Sequence, residues 1–383
     1  MSNGEPGGRT TQPSPPGAGP DEAIRRPAEE RHDDELARLR DRDQSEGAAL
    51  PPGWRLSPRA VRDFILGQPR AGVSPKFYGD DALVDRAIVT LLGRQGLMLV
   101  GEPGTAKSML SELLAAAISG NSNLTVQGTA GTTEDHIRYS WNYALLLAEG
   151  PSQRALVPSP VYQAMRSGSI IRFEEITRAA PEIQDTLISI LSEKQLMVPE
   201  FGADARVVAR PGFNLIATAN LRDRGVNEMS AALKRRFNFE RVSPIADRDQ
   251  EVELVCHRLG DELGAEGGRE PVPRDVVELL VTVCRELRAG VTVEGTALKR
   301  LETTMSTAEA VNVAVAAALE ARYLGSGVVG PAEVARQFGG VALKDSDEDA
   351  KRLRFYIDTV VRQRARSDRS WKAFQLAAAE LWD

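Results

Sequence analysis

The stretch from Leu97 to Ser108 constrains the fold of this chain more than any other part. Four apolar residues beginning at Leu97 are typical of a buried strand, a glycine-rich turn follows, and Lys107 and Ser108 open a helical pattern. In this arrangement the backbone N–H groups of the turn hold the phosphates of a nucleoside triphosphate at the helix N-terminus. We therefore expect Lys107 to reach the β- and γ-phosphates and Ser108 to bind Mg²⁺.

One position of this loop departs from the strict pattern G-x-x-x-x-G-K-[ST]. Ala106 stands where the second glycine is expected. Because a methyl group is tolerated there only if the backbone φ angle is negative, the sequence predicts a negative φ at Ala106. An ordinary glycine turn between a strand and a helix is the alternative interpretation, and the lysine and serine at the helix start disfavour it.

Composition narrows the classes of protein that the chain can belong to. Its 383 residues suffice for two or three domains, and its net charge of −6 argues against a protein that coats nucleic acid. Cys256 and Cys284 are the only cysteines, so neither a disulfide framework nor a zinc site is expected. No run of 18 apolar residues and no apolar signal core occurs, which predicts a soluble, cytoplasmic protein without membrane insertion.

The two ends of the chain differ in character. Residues 1–50 are rich in Gly and Pro and then in charged residues, and we expect them to form a disordered tail with at most a transient helix near 34–40. Folded structure is expected from about Pro51, and residues 246–383 are mostly helical in pattern. The basic stretch 362–369 with nearby aromatic residues is typical of a solvated helix packed on its neighbours, although nucleic-acid contact would have the same composition.

A second informative stretch is the apolar strand that ends in Glu174 and Glu175. Acids at the carboxyl end of a strand in a parallel α/β sheet lie beside the phosphate loop. One acid can hold Mg²⁺ through its water shell, and the next can polarise the water that attacks the γ-phosphate. A solvated turn explains most strands that end in two acids, but the position of this one after the phosphate loop favours the catalytic interpretation.

Two further patterns complete the candidate site. An apolar strand from Asn214 ends in polar residues at Asn220, and the cations Lys234, Arg235 and Arg236 precede a last alternating strand. Three adjacent cations are also typical of a solvated turn. Two short strands around the turn 202–204 predict a hairpin.

Together these motifs resemble those of the AAA+ ATPases, and within them the MoxR branch, over residues 75–340. The most specific match is the run Phe173-Glu174-Glu175-Ile176-Thr177-Arg178-Ala179-Ala180-Pro181-Glu182-Ile183-Gln184, which is similar to D-E-I-N-R-A-P-x-x-Q. The phosphate loop also fits, because this branch often has alanine before the lysine.

The resemblance implies an α/β fold with a P-loop core, whose five-stranded parallel sheet is flanked by helices, over residues 51–245. An all-α lid domain over 246–340 and a C-terminal helical extension over 341–383 would follow. The branch's insert in the second core helix would lie near 135–148, and its pre-sensor hairpin near 195–212.

The resemblance also implies roles for single residues. ATP would be bound by Gly101, Glu102, Pro103, Gly104, Thr105, Ala106, Lys107, Ser108 and Glu174. Mg²⁺ would be held by Ser108 and Glu174, Glu175 would activate the attacking water, and Asn220 would be the sensor 1 residue that orients it. Arg236, with Arg235 as the alternative, would be the arginine finger that acts on nucleotide in the neighbouring subunit of a homo-oligomeric ring, expected to be a hexamer.

Two departures from the family pattern affect these roles. Glu174 stands where aspartate is usual, and its extra methylene moves the carboxylate by about 1.5 Å, which would weaken Mg²⁺ positioning and slow hydrolysis. The lid helix opens with residues 306–309, Ser-Thr-Ala-Glu, where the family has a sensor 2 arginine. Lys299 and Arg300 are the candidates to replace that arginine.

Three functions follow from these expectations. The first is a ring-forming ATPase that remodels a protein partner, for which the resemblance implies a von Willebrand factor A domain protein. The second is a nucleotide-gated scaffold with little hydrolysis, suggested by Glu174 and the absent sensor 2. The third is a nucleic-acid motor, against which the acidic balance counts.

Overall fold

The computed structural model describes residues 26–220, 225–263, 271–303, 305–343 and 346–382. The strands in these ranges are β1 (Gly96–Val100), β2 (Thr125–Gln127), β3 (Tyr139–Trp141), β4 (Leu156–Pro158), β5 (Ile170–Glu174), β6 (Gln195–Met197), β7 (Arg206–Val208), β8 (Asn214–Ala219) and β9 (Phe237–Arg241). The helices up to the end of the sheet are α1 (Ala28–Arg31), α2 (Asp33–Glu46), α3 (Pro58–Leu66), α4 (Asp81–Leu92), α5 (Lys107–Ser119), α6 (Tyr143–Glu149), α7 (Pro160–Ser167), α8 (Pro181–Asp185), α9 (Leu187–Glu193) and α10 (Ala231–Lys234). The C-terminal helices are α11 (Arg248–Leu263), α12 (Arg274–Ala289), α13 (Thr307–Tyr323), α14 (Pro331–Ala342), α15 (Asp347–Tyr356), α16 (Arg362–Arg364) and α17 (Arg369–Ala379), with a π-helical turn over Ile357–Val361.

The expected five-stranded parallel sheet is confirmed. Its strands lie in the order β2-β5-β8-β1-β9, and all neighbours are parallel. Val100 of β1 is level with Ala219 of β8, and Phe173 of β5 is level with Ala217. The chain segments that follow β1, β5 and β8 therefore meet at one edge of the sheet.

Alternate strand residues bury the two faces of this sheet. Leu97 and Leu99 pack into a cluster that includes α3, α4 and α5, whereas Met98 and Phe173 pack into a second cluster that includes α7 and α9. Helices on both faces of a parallel sheet give the layered α/β architecture that the alternation of strands and helices predicts.

The predicted hairpin corresponds to β6 and β7, which pair antiparallel with Leu196 opposite Val207. The range 135–148, where the insert is expected, contains β3 and most of α6. On α6, Tyr143 and Leu147 are 71% and 89% exposed. Both features lie beside the α/β core rather than in its main sheet.

The prediction of a disordered tail over residues 1–50 is wrong for residues 26–50, while residues 1–25 lie outside the described residues. Helix α2 buries Leu36 and Leu39 against the core. Asp43, only 4% exposed, accepts hydrogen bonds from the backbone N–H (2.6 Å) and hydroxyl (2.7 Å) of Ser57. The segment is ordered because a few apolar contacts are joined by specific polar contacts, which composition does not reveal.

The C-terminal helices form one packed body. The rings of Phe338 on α14 and Phe374 on α17 meet edge-on at 6.3 Å. Buried Glu286 accepts hydrogen bonds from the Tyr356 hydroxyl (2.6 Å) and from Arg364 (2.6 and 3.0 Å). Helices on both sides of residue 340 therefore share one hydrophobic core, and Arg364 of the basic stretch takes part in an internal ion pair. Within the described ranges, no helix combines the length and the hydropathy needed to cross a bilayer.

Candidate nucleotide-binding site

The phosphate loop connects β1 to α5, and its backbone corrects one prediction. Ala106 has φ +66° and ψ 20°, in the left-handed region, so the prediction of a negative φ is wrong. This conformation costs a residue with a Cβ atom roughly 1–2 kcal/mol. The loop maintains it because the adjoining strand and helix fix both ends of the turn.

Close packing explains two glycines of the loop. A Cβ atom on Gly101 would lie 2.3 Å from the carbonyl oxygen of Val242. A Cβ atom on Gly104, which has φ +73°, would collide with Ser306 at the start of α13. The C-terminal domain thus contacts the phosphate loop directly.

Lys107 is buried at the start of α5. Its Nζ atom donates hydrogen bonds to the carbonyl oxygens of Gly101 (3.0 Å) and Glu102 (2.8 Å). Burial lowers the pKa of Lys107, while the nearby carboxylates of Glu175 and Glu174 act in the opposite direction. The ammonium group is therefore held within the concavity of the loop, where a phosphate would provide better oxygen acceptors.

Glu174, at the end of β5, carries a carboxylate that accepts four hydrogen bonds. Three hydroxyl groups donate to it, from Ser111 (2.6 Å), Ser108 (2.7 Å) and Thr218 (2.7 Å), and Arg172 donates at 2.8 Å. Burial favours the neutral acid, but the charge of Arg172 and the three hydroxyl groups outweigh it and lower the pKa of Glu174. The side chain is therefore an anion in a buried position.

The hydroxyl of Ser108 and the carboxylate of Glu174 are the groups that would hold a divalent cation, which would replace the hydrogen bond between them. They are 2.7 Å apart, and hydroxyl and carboxylate oxygens suit Mg²⁺. Nowhere in the described part of the chain do three Asp, Glu, His or Cys side chains form a metal cluster. A magnesium ion here would thus depend on nucleotide phosphates and water for its other ligands, as is usual for this cation.

Glu175 follows in an unusual backbone conformation, with φ +52° and ψ 47°. Its N–H donates to the hydroxyl oxygen of Thr218 (3.0 Å). Its Oε2 atom is buried and has no hydrogen-bond partner, and Nε of Arg178 lies 3.9 Å from it. A carboxylate oxygen in this state is available to accept a proton or a hydrogen bond from water.

Asn220 lies at the carboxyl ends of the parallel strands, and the two arginines lie at their amino ends. Asn220, 5% exposed, follows β8 and borders a small cleft with Gly101 and Glu102. The carbonyl oxygen of Arg236 accepts from Gly96 N–H (2.9 Å) at the other end of β1. Four residues of strand separate that end from Val100, a distance of about 13 Å.

The side chains of these two arginines are at the surface. Arg235 is exposed, and Arg236 donates to the hydroxyl of Ser192 (3.0 Å) and to the carbonyl oxygen of Ala232 (2.7 Å). The structure thus brings Lys107, Ser108 and the two acids together and leaves the arginines apart from them.

Sequence reasoning missed the cleft beside the phosphate loop, which has about 450 Å³ of empty space. Its lining includes Tyr78, Pro103, Gly104, Thr105, Ala106, Met109, Ile245, Leu254, Arg288, Ser306 and Thr307. Burial and the charge of Glu253 raise the pKa of Tyr78. Apolar side chains of this kind suit the face of a purine ring, and they come from separate elements and share no local sequence pattern.

The residues expected to replace the sensor 2 arginine do not line this cleft. Arg300 donates to the carbonyl oxygen of Ala289 (2.8 Å), and Lys299 lies near Glu348. Arg288 of α12 lines the cleft instead, held by the buried carboxylate of Glu251 (2.8 and 3.0 Å). An arginine is thus present at the cleft, but it comes from α12 and not from the start of α13.

Comparison with known families agrees with this geometry. Residues 96–237 match the AAA domain of the dynein-related subfamily, which makes the chain an AAA+ ATPase. Residues 249–379 match the C-terminal domain of YehL-like AAA+ ATPases. The chain is 50% identical to the protein YehL of Escherichia coli (strain K12) over 358 residues, 93% of this chain and 97% of YehL. It belongs to the YehL-like family.

More distant likenesses are weaker. The chain is 25% identical to YojN of Bacillus subtilis (strain 168) over 199 residues, 47% of this chain and 61% of YojN. Its fold aligns with NtrX of Brucella abortus in complex with ADP with a TM-score of 0.46 and 13% identity, over 78% of this chain and 64% of NtrX.

Proposed function

We propose that this chain is a Mg²⁺-dependent ATP hydrolase of the MoxR kind that works as a homo-oligomeric ring. The observation that carries the proposal is the separation within one subunit. The phosphate loop, Glu174, Glu175 and Asn220 lie at the carboxyl ends of the strands, and Arg236 lies at the amino end of β1, a strand about 13 Å long. A neighbouring subunit would bring its own Arg236 to the nucleotide held here.

Each residue has a defined part in this proposal. The loop N–H groups and Lys107 hold the phosphates, and Ser108 and Glu174 hold Mg²⁺, which would neutralise phosphate charge. The unpartnered oxygen of Glu175 accepts a proton from the attacking water, and Asn220 orients that water.

The finer parts of the proposal concern assembly and client. The ring is a hexamer in the cytoplasm, and ATP turnover drives the remodelling of a protein partner with a von Willebrand factor A domain. Support comes from the resemblance to the MoxR branch and from the exposed apolar side chains Tyr143 and Leu147 on α6, which are available for contact with a partner.

The test mixes two inactive variants of the full chain. Lys107→Ala keeps the finger but lacks the phosphate contact, and Arg236→Ala keeps the pocket but lacks the finger. Random mixing in a ring places an intact pocket next to an intact finger at about a quarter of the interfaces, so we expect about a quarter of the wild-type ATPase rate. A mixture no more active than its components would refute the trans arrangement.

Two controls sharpen this experiment. Arg94, an exposed arginine at the amino end of β1, should be replaceable by alanine without loss of activity. Arg235→Ala tests the alternative finger, because only the true finger variant is rescued by Lys107→Ala.

A nucleotide-gated scaffold is the second candidate. The observation in its favour is that four donors already occupy the carboxylate of Glu174. If wild type and Glu175→Gln hydrolyse ATP equally slowly while ATP still drives assembly, the scaffold replaces the remodelling enzyme. A DNA-stimulated ATPase rate would instead favour the nucleic-acid motor.

A further inference from the structure

Strand β5 contains a cation in an interior position. It lies between β2 and β8 in the sheet, where apolar side chains are usual. Arg172 is nevertheless there, with its side chain only 12% exposed. Because side chains two residues apart share a face of a strand, Arg172 and Glu174 both point towards α5.

The guanidinium group of Arg172 is fixed by four oxygen atoms. Nε donates to the hydroxyl of Ser111 (3.0 Å), and Nη1 donates to the carbonyl of Ser122 (3.0 Å). Nη2 donates to Glu174 Oε1 (2.8 Å) and to the carbonyl of Ser108 (3.2 Å). The planar fork therefore has one orientation, in which it contacts the phosphate-loop helix near its start and the chain just beyond its end.

The carboxylate of Glu174 is filled to capacity by this arrangement. Oε1 accepts from Arg172 and Ser111, and Oε2 accepts from Ser108 and Thr218. A carboxylate has about four lone-pair sites, so each is used. An aspartate would be shorter by about 1.5 Å, enough to stretch bonds of this length beyond the hydrogen-bond range.

We propose that Arg172 is a positioning residue that makes glutamate, rather than aspartate, the matched acid at position 174 and that moderates the attraction of this acid for Mg²⁺. Two unusual features of β5, a cation in its interior and a glutamate at its end, are then one feature. The inference rests on the proposed ATP and Mg²⁺ site.

The charge balance has a consequence for the metal. Arg172 and Glu174 together are neutral, so Glu175 and Glu102 supply negative charge beside the loop. Without Arg172 the negative charge of the buried Glu174 carboxylate is no longer balanced by a side chain, and a bound divalent cation would balance it instead. Removal of Arg172 therefore tightens Mg²⁺-dependent nucleotide binding.

The first measurement is a double-mutant cycle in ATPase rate on the full chain. Glu174→Asp alone should lower kcat by about 100-fold and change KM for ATP by less than about twofold, because positioning and not binding is lost. Arg172→Met combined with Glu174→Asp should return kcat to within about fivefold of wild type, since the shorter acid is then released from the guanidinium. A double variant as slow as or slower than Glu174→Asp overturns the proposal.

The second measurement needs no turnover. The Mg²⁺ concentration for half-maximal binding of a fluorescent ADP analogue should fall about tenfold in Arg172→Met. Arg172→Lys keeps the charge without the fork, so it should leave that concentration within about twofold of wild type while lowering kcat. An unchanged Mg²⁺ requirement in Arg172→Met overturns the proposal.

A matched control separates this effect from general destabilisation. Arg31 of α1 pairs with Glu112 (2.7 Å), a buried residue of the same helix α5. Arg31→Met should lower the free energy of unfolding and leave the Mg²⁺ requirement unchanged. If wild type binds nucleotide but hydrolyses none, the proposed function fails, and the Mg²⁺ titration still decides the role of Arg172.

Discussion

The hydroxyl group of Thr218 connects both acids of the site. It is fully buried, donates to Glu174 Oε2 (2.7 Å) and accepts from the N–H of Glu175 (3.0 Å). Replacement by valine keeps the shape and removes both hydrogen bonds. We expect Thr218→Val to misplace the two carboxylates while the phosphate loop stays intact.

The size of the effect follows from the two bonds. A hydrogen bond to a charged group contributes about 1.5–3 kcal/mol, and a neutral one about 0.5–1.5 kcal/mol, so the pair amounts to about 2–4.5 kcal/mol. If this energy is expressed in the transition state, kcat falls by roughly 30- to 2,000-fold. KM for ATP should stay near the wild-type value, because neither bond belongs to the phosphate loop.

Steady-state ATPase assays on the full chain give both constants, and denaturant unfolding shows whether the fold survives. Thr218→Ser restores the hydroxyl and should recover most of the rate. The reasoning is refuted if Thr218→Val keeps kcat within about threefold of wild type while it unfolds more easily, since the hydroxyl would then serve stability alone.

Three other expectations concern stability, pH and the cleft beside the phosphate loop. Asp43→Ala should lower the free energy of unfolding by about 2–4 kcal/mol, measured in denaturant, because Ser57 loses a charged acceptor at two atoms. Burial lowers the pKa of His32 in the folded protein to about 4. As the pH falls, the imidazole is therefore protonated in the unfolded chain before it is protonated in the folded one, and the free energy of unfolding should fall between about pH 6.5 and pH 4. His32→Gln should lessen that fall in unfolding curves at the two pH values. Arg288→Gln should weaken ATP binding by about tenfold in a nucleotide titration, whereas Arg285→Gln, which pairs with the same glutamate but lies outside the cleft, should affect stability only.

The core of the site was predictable because its signals are local. Lys107 and Ser108 follow a strand and a glycine turn, and Glu174 and Glu175 end another strand. The carboxyl ends of parallel strands must meet at one edge of the sheet. The strand pattern thus predicted that these residues lie together, and the observed register agrees.

The remainder depended on contacts between distant parts of the chain. Tyr78 and Leu254 line the cleft from the start of the core and from α11, and neither belongs to a motif. The left-handed backbone of Ala106 results from the turn that the loop must make, which outweighs the preference of an alanine. Arg172 was visible in the sequence, but its meaning depends on the hydroxyl groups that α5 and β8 place around Glu174.

The ordered segment from residue 26 affects where the chain can be shortened. Composition would place the cut at Pro51. Such a cut would remove the hydrogen-bonding or ionic partners of Ser57, Lys76 and Glu112, all three of which are buried. Each would then face a cavity or solvent without its counterpart, a cost of about 1–3 kcal/mol apiece. A fragment meant for crystals or binding assays should begin ahead of α1, and one that begins at Pro51 should aggregate or unfold at a lower temperature.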